Sequence, residues 1–165
     1  MKRHRLIAIA ALVPALCVGL SLVHPWGDVR GAVGEGELLG GSAVPQDVRR
    51  MLETKCADCH SNRTHWPVYS RLAPGSWLME RDVHDGRAAI NLSGWSGMRA
   101  DDRISALARI AAEVRSGEMP PKAYALMHPQ TRLTDLEERS MMAWTKAERK
   151  RVRAMSEEQT RSDGQ

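Results

Sequence analysis

Two cysteines three residues apart, with a histidine directly after the second, constrain this chain more than any other feature: Cys56-Ala57-Asp58-Cys59-His60. Side chains at i, i+3 and i+4 share one face of a helix. On a helical turn, two thiols and an imidazole therefore point the same way. A disulfide would use both thiols and leave His60 idle. A thioredoxin-like redox pair belongs on an α/β frame, and no alternating strand pattern runs through this sequence. A zinc site needs four ligands, and the chain has no second Cys-x-x-Cys.

The remaining reading is the attachment signature of c-type haem. Each thiol adds to one vinyl group of the porphyrin, and the adjacent imidazole is placed to bind the iron. The expected cofactor is one covalent haem c, held by Cys56 and Cys59 with His60 as proximal ligand. A domain of this size buries a modest core, and a bound prosthetic group adds to its stability. The composition points the same way. Phe is absent and Tyr occurs twice, so five Trp and nine Met supply most of the large apolar bodies.

The N-terminus carries a basic cap, Lys2-Arg3-His4-Arg5, and then 18 residues without a charge, Leu6 to Val23. That length just suffices to span a bilayer, and no small-x-small cleavage site follows it. His24, Pro25 and Trp26 suit a membrane interface. The expectation is a membrane-spanning helix within residues 1–26, favoured over a cleaved signal; both imply export. The basic cap then stays cytoplasmic, and the rest lies in the periplasm of a bacterial inner membrane. Cys17 falls inside the apolar run, with Leu16 where a lipoprotein signal wants a small residue. The net charge of +4 is small and forms no basic stripe interleaved with aromatics, so nucleic-acid binding has no support.

Residues 27–44 are rich in Gly and are expected to be a flexible linker. A helix then leads to the cysteines, with Pro45 at its start and Val48, Met51 and Leu52 at helical spacing. An irregular loop follows, and Ser76 is placed to cap a second helix running to about Ile90. The third helix, opened by Asp101 and Asp102 and stopped by Gly117, puts Ile104, Leu107, Ala108, Ile110, Ala111 and Val114 on one face. Thr134 opens a last helix, with Glu137 three residues on as a capping box. From Glu148 the apolar stripe is lost and a charged tail, 148–165, is expected to fray. The domain proper, 45–147, is read as all-α.

Met119 is the candidate sixth ligand. It follows the third helix and precedes Pro120-Pro121, which restrict the chain around it. Met/His ligation raises a haem's potential, as electron transfer requires. His128 is the main rival, read first as a hydrogen-bonded loop histidine. His65 lies too close to His60 to reach the opposite haem face, and His84 sits among charges on a surface. Trp66, Trp77, Trp95 and Trp144 are expected in the core or pocket wall. Arg71, Arg87 and Lys122 are candidates to pair with haem propionates.

Two stretches carry a resemblance to a known family: "CADCHSNRTHWPVYSRLAPGSWLMERDVHDGRAAINLSGW" (56–95) and "GEMPPKAYALMHPQTRLTDLEERSMMAW" (117–144). With these the chain, from about Val48 to Trp144, resembles the bacterial haem-binding domain proteins, small membrane-anchored relatives of c-type cytochromes. One departure is visible: Val68 follows Pro67 where that group often has an aromatic. The resemblance implies a cytochrome c-like helical fold and one covalent haem on Cys56, Cys59 and His60, and it makes Met119 the natural distal ligand. It assigns no reaction. An electron carrier with unknown redox partners is the favoured function. The alternatives are a haem sensor or enzyme with a labile sixth position, or an accessory haem subunit of a respiratory complex.

Overall fold

The structure, a computed structural model, describes residues 2–31 and 36–164, with the backbone alone for 2 and 4–8. Among the described residues every regular element is a helix, as the periodicity predicts. The first, α1 (Lys2–Leu20), is apolar and leaves Ile9, Leu12, Val13, Leu16 and Val18 more than half exposed. The membrane-spanning helix expected within 1–26 is not found: among the described residues no helix is long and apolar enough to cross a membrane. The physical reason is where α1 stops. It ends at Leu20 and gives way to turns, so the tail of the apolar run to Val23 does not extend the helix.

Helix α2 (Gln46–Lys55) buries Val48, Met51 and Leu52 and leads into α3 (Ala57–His60), a single turn. A 3-10 turn, Val68–Arg71, precedes α4 (Gly75–Ala89). A second 3-10 segment, Leu92–Gly97, delivers the fully buried Trp95 to the core. Helix α5 (Ala100–Ser116) starts with Asp101 and Asp102 in its first turn, where acidic groups complement the helix dipole. It ends at Gly117, whose φ of 71° is the left-handed conformation a glycine adopts without strain. After the short α6 (Lys122–Met127), α7 (Asp135–Asp163) begins with the expected capping box: Thr134 Oγ1 accepts from Glu137 N at 3.3 Å, and Glu137 Oε2 accepts from Thr134 N at 2.8 Å.

Helices α5 and α7 form the most extensive helix pair. Their inward side chains Leu107, Met141 and Trp144 join Met51, Leu52, Leu92 and Trp95 in the main core. Two findings differ from the sequence reading. Leu38 and Leu39, inside the stretch expected to be a loose linker, are buried in this core at 4% and 1% exposure; residues 32–35 of that stretch lie outside the described residues. The final helix does not stop at Glu148, because Glu148 and Val152 are themselves buried and Arg151 closes on Glu148 at 2.6 Å.

Candidate functional site

The cysteine motif forms where α2 hands over to α3. Cys56 N–H donates to Leu52 O at 3.1 Å and finishes α2, while Cys56 O accepts from Cys59 N at 3.3 Å and His60 N at 3.0 Å and starts α3. Cys56, Cys59 and His60 thus lie on one turn, as their spacing predicts. The two thiols are free and partly buried. Burial pushes the Cys56 thiol up to about 12, with Lys55 acting the other way. Cys59 is also pushed up to about 12, first by burial and then by the negative charges of Asp82 and Asp58. Both are neutral thiols near pH 7, unlike the depressed thiolate of a thiol–disulfide redox pair.

His60 is oriented by one bond. Its Nδ1 is 3.2 Å from Ile90 O. A carbonyl only accepts, so Nδ1 carries the proton and Nε2 keeps its lone pair. A second-shell bond of this kind sets the tautomer and ring orientation of a metal-binding imidazole. Among the described residues no group of three or more His, Cys, Asp or Glu is placed to hold a metal ion. Two neutral thiols beside one imidazole with a free lone pair fit a porphyrin held by the thiols and ligated by the imidazole.

The motif is held against α4 by a residue that sequence reasoning passed over. A Cβ on Gly86 would lie 2.6 Å from Cys59 O and 3.0 Å from Cys59 Cβ, so the two backbones meet where no side chain fits. The one available signal was a glycine in the middle of a helical segment. Arg87, next along α4, donates to Ser61 O at 2.8 Å, Thr64 Oγ1 at 3.1 Å and Val29 O at 2.8 Å. It is therefore already committed within the protein, whereas Arg71 and Lys122 are exposed.

Asp58, inside the motif, anchors a polar web that was not foreseen. It accepts from Tyr124 Oη at 3.2 Å and from His65 N at 2.9 Å, and lies 3.1 Å from His65 Nδ1. Burial, then the charge of Asp58, pushes the Tyr124 hydroxyl well above its ordinary value. The Tyr124 ring stacks on His128 at 4.4 Å, and His128 Nε2 lies 2.9 Å from Tyr69 Oη. His128 is thus the hydrogen-bonded histidine of the first reading. His65 is an exposed partner of Asp58, and His84 an exposed partner of Asp85 at 2.9 Å.

Met119 stands on another element, in the cap of α5, where its N–H and that of Glu118 both donate to Glu113 O. The structure brings Cys56, Cys59 and His60 together; no described contact links Met119 to them. Of the tryptophans, Trp95 and Trp144 are core residues, with Trp144 Nε1 donating to Ala43 O at 3.1 Å. Trp66 lies under Arg30, and Trp77 Nε1 donates to Val23 O at 2.8 Å.

Residues 15–147 match the model of a family described as "Haem-binding domain". No curated protein and no solved structure matches the chain.

Proposed function

The chain belongs to the haem-binding domain family, and on that premise we propose that it is a one-electron carrier with a single covalent haem c, held to a bacterial inner membrane on its outer side. The observation that carries the covalent reading is the single turn that presents two free thiols and an imidazole whose Nδ1–H is spent on Ile90 O. Cys56 and Cys59 would hold the porphyrin, His60 Nε2 would be the proximal ligand and Met119 the distal one. When bound, the haem supplies an Fe(III)/Fe(II) couple, raised in potential by a Met/His ligand pair.

The protein's own residues serve that role by holding still. Ile90 O keeps His60 in one tautomer, and Gly86 lets α4 back the motif without a gap. Tyr69 and Tyr124 occupy His128 from two sides, so the main rival to Met119 is already engaged. Helix α1 supports membrane attachment: Ile9, Leu12, Val13, Leu16 and Val18 are each more than half exposed.

The test is the absorption spectrum of the matured protein, oxidised and reduced, with and without carbon monoxide. A low-spin spectrum with a near-infrared sulfur-to-iron band, indifferent to carbon monoxide, is expected. Met119→Ala is expected to keep the haem and become high-spin. A high-spin wild type that binds carbon monoxide would instead favour a sensor or enzyme, and an unchanged Met119→Ala spectrum would remove Met119 as ligand.

A further inference from the structure

Glu80 lies within α4 with no solvent exposure. A buried carboxylate is costly unless charged and hydrogen-bonding groups reach it. Its described partners both come from the segment just after α1. His24 Nδ1 is 3.1 Å from each carboxylate oxygen, and Arg30 Nε donates to Oε1 at 3.0 Å. Arg30 also donates to Ser70 O and covers the Trp66 ring at 4.1 Å.

Three more bonds run along the same seam. Ala73 N donates to Ser21 Oγ at 2.8 Å, Trp77 Nε1 to Val23 O at 2.8 Å, and Arg87 to Val29 O at 2.8 Å. Residues 21–30 are therefore clasped along Ser70–Arg87. The chain leaving α1 is bound to the domain from its first residue.

The clasp has a consequence for the surface beside it. The Ser21–Ala73 bond brings the backbone at Leu22 near that at Leu72, with Val23 one residue on from the first and Val68 four residues before the second. These four side chains are 80%, 51%, 52% and 77% exposed, respectively. Exposed Arg71 stands beside them. Trp77, with its indole N–H bonded to Val23 O, adds an amphipathic ring of the kind found at bilayer interfaces.

We propose that Leu22, Val23, Val68 and Leu72 rest on the lipid surface, so that the clasp on Glu80 holds the haem domain flat on the bilayer instead of letting it swing on a tether. Lipid is the occupant because Leu22 and Val23 follow directly on α1, whose Ile9, Leu12, Val13, Leu16 and Val18 are likewise exposed. Arg71 at its edge suits anionic headgroups. The inference rests on the reading of α1 as membrane-attached.

The test uses the full haem-loaded chain in vesicles of phosphatidylcholine with phosphatidylglycerol, in a Cys17→Ser background. An environment-sensitive dye is placed on Val68→Cys or, as a remote control, on Leu126→Cys of α6, which is 73% exposed in the wild type. Emission is compared with and without nitroxide-labelled lipid. Loss of most of the emission at position 68, with little change at 126, is expected. His24→Ala/Arg30→Ala should bring position 68 to the level of 126 while the chain still resists alkaline extraction. If that variant fails to fold, Trp77→Phe should give a smaller shift in the same direction. Equal quenching at both positions in a chain that stays on the membrane would overturn the clasp. A blue-shifted dye at 68 that nitroxide lipid does not quench would mean a protein partner, such as a second copy, and would overturn the lipid assignment. Release of the wild-type chain by alkaline extraction would sink the membrane reading and this inference with it.

Discussion

The two sides of the domain are held by different physics. On the α5–α7 side, Leu107, Met141 and Trp144 fill a shared core with Met51, Leu52 and Trp95, and burial of apolar surface does the work. On the α3–α4 side the apolar cluster is small, built on Met79, Val83 and Tyr124. There Arg87, Asp58, Glu80, Tyr69 and His128 supply much of the cohesion through directed polar bonds. A core of the first kind tolerates approximate fit and stands without a cofactor. The second kind holds a geometry well but buries little; Cys59 meets it at Gly86, while Cys56 packs against the main core. The difference teaches that the motif sits at a seam, with directed polar bonds fixing position on one side and apolar burial on the other.

The comparison can be broken most severely at the cysteines. Cys56→Ser/Cys59→Ser is expected to abolish haem that survives denaturation, read by haem staining of a denaturing gel, while the helical circular dichroism of the α5–α7 side persists. Full covalent loading of the double variant would remove the motif from the attachment chemistry. Next in size, Met141→Ala opens a cavity at a residue with 0% exposure and should cost about 2–5 kcal/mol in urea unfolding. The loss should be similar with and without haem if that side stands on its own packing.

Gly86→Ala tests the other side. The added methyl must push Cys59 away, and about 1–3 kcal/mol of destabilisation is expected. A lowered yield of covalent haem should accompany it, which Met141→Ala should not show at matched stability. The smallest effect concerns a bond between α2 and α7. Lys55 Nζ donates to Glu137 Oε2 at 2.7 Å and to Arg132 O at 2.8 Å. Burial raises the Glu137 carboxyl, but the bonds from Lys55 and Thr134 outweigh it and hold it below its ordinary value of 4.5. A lowered folded-state value contributes stability that is present above that ordinary value and is lost as pH falls through the folded one. With the side chains 13% and 28% exposed, the contribution is about 1 kcal/mol or less. Lys55→Met should lower the neutral plateau by about 1 kcal/mol or less, leave the strongly acid end nearly unchanged, and so flatten the acid limb of a stability-versus-pH curve.

Local chemistry was legible in the sequence and long-range chemistry was not. The start of α5 at Asp101 and Asp102, its stop at Gly117, and the Thr134–Glu137 box all depend on neighbours within a turn, and each stands where the spacing put it. The shared turn of Cys56, Cys59 and His60 is of the same kind. Leu38 and Leu39 were hidden because a glycine-rich stretch shows no period, and their burial comes from residues far along the chain. Asp58 gave no sign that Tyr124, 66 positions on, would meet it. Glu80 drew no attention in the sequence, since a single carboxylate carries no pattern to mark it as interior. The carbonyl that orients His60 belongs to Ile90, and a backbone acceptor leaves no trace in side-chain chemistry.

The Lys55 bond also bears on the order of events as the chain is made. Lys55 precedes Cys56 by one residue, yet its partners lie 77 and 82 positions downstream. A chain that emerges from its N-terminus first exposes the cysteines well before residues 132–137 exist to clamp the neighbouring turn. During that interval the thiols are unburied and have the ordinary acidity of free cysteine, which makes them more nucleophilic than after closure. In the folded chain both thiols are partly buried and less acidic still. The distance along the chain thus sets an interval in which both thiols are open to reaction before the last helix can clamp the neighbouring residue.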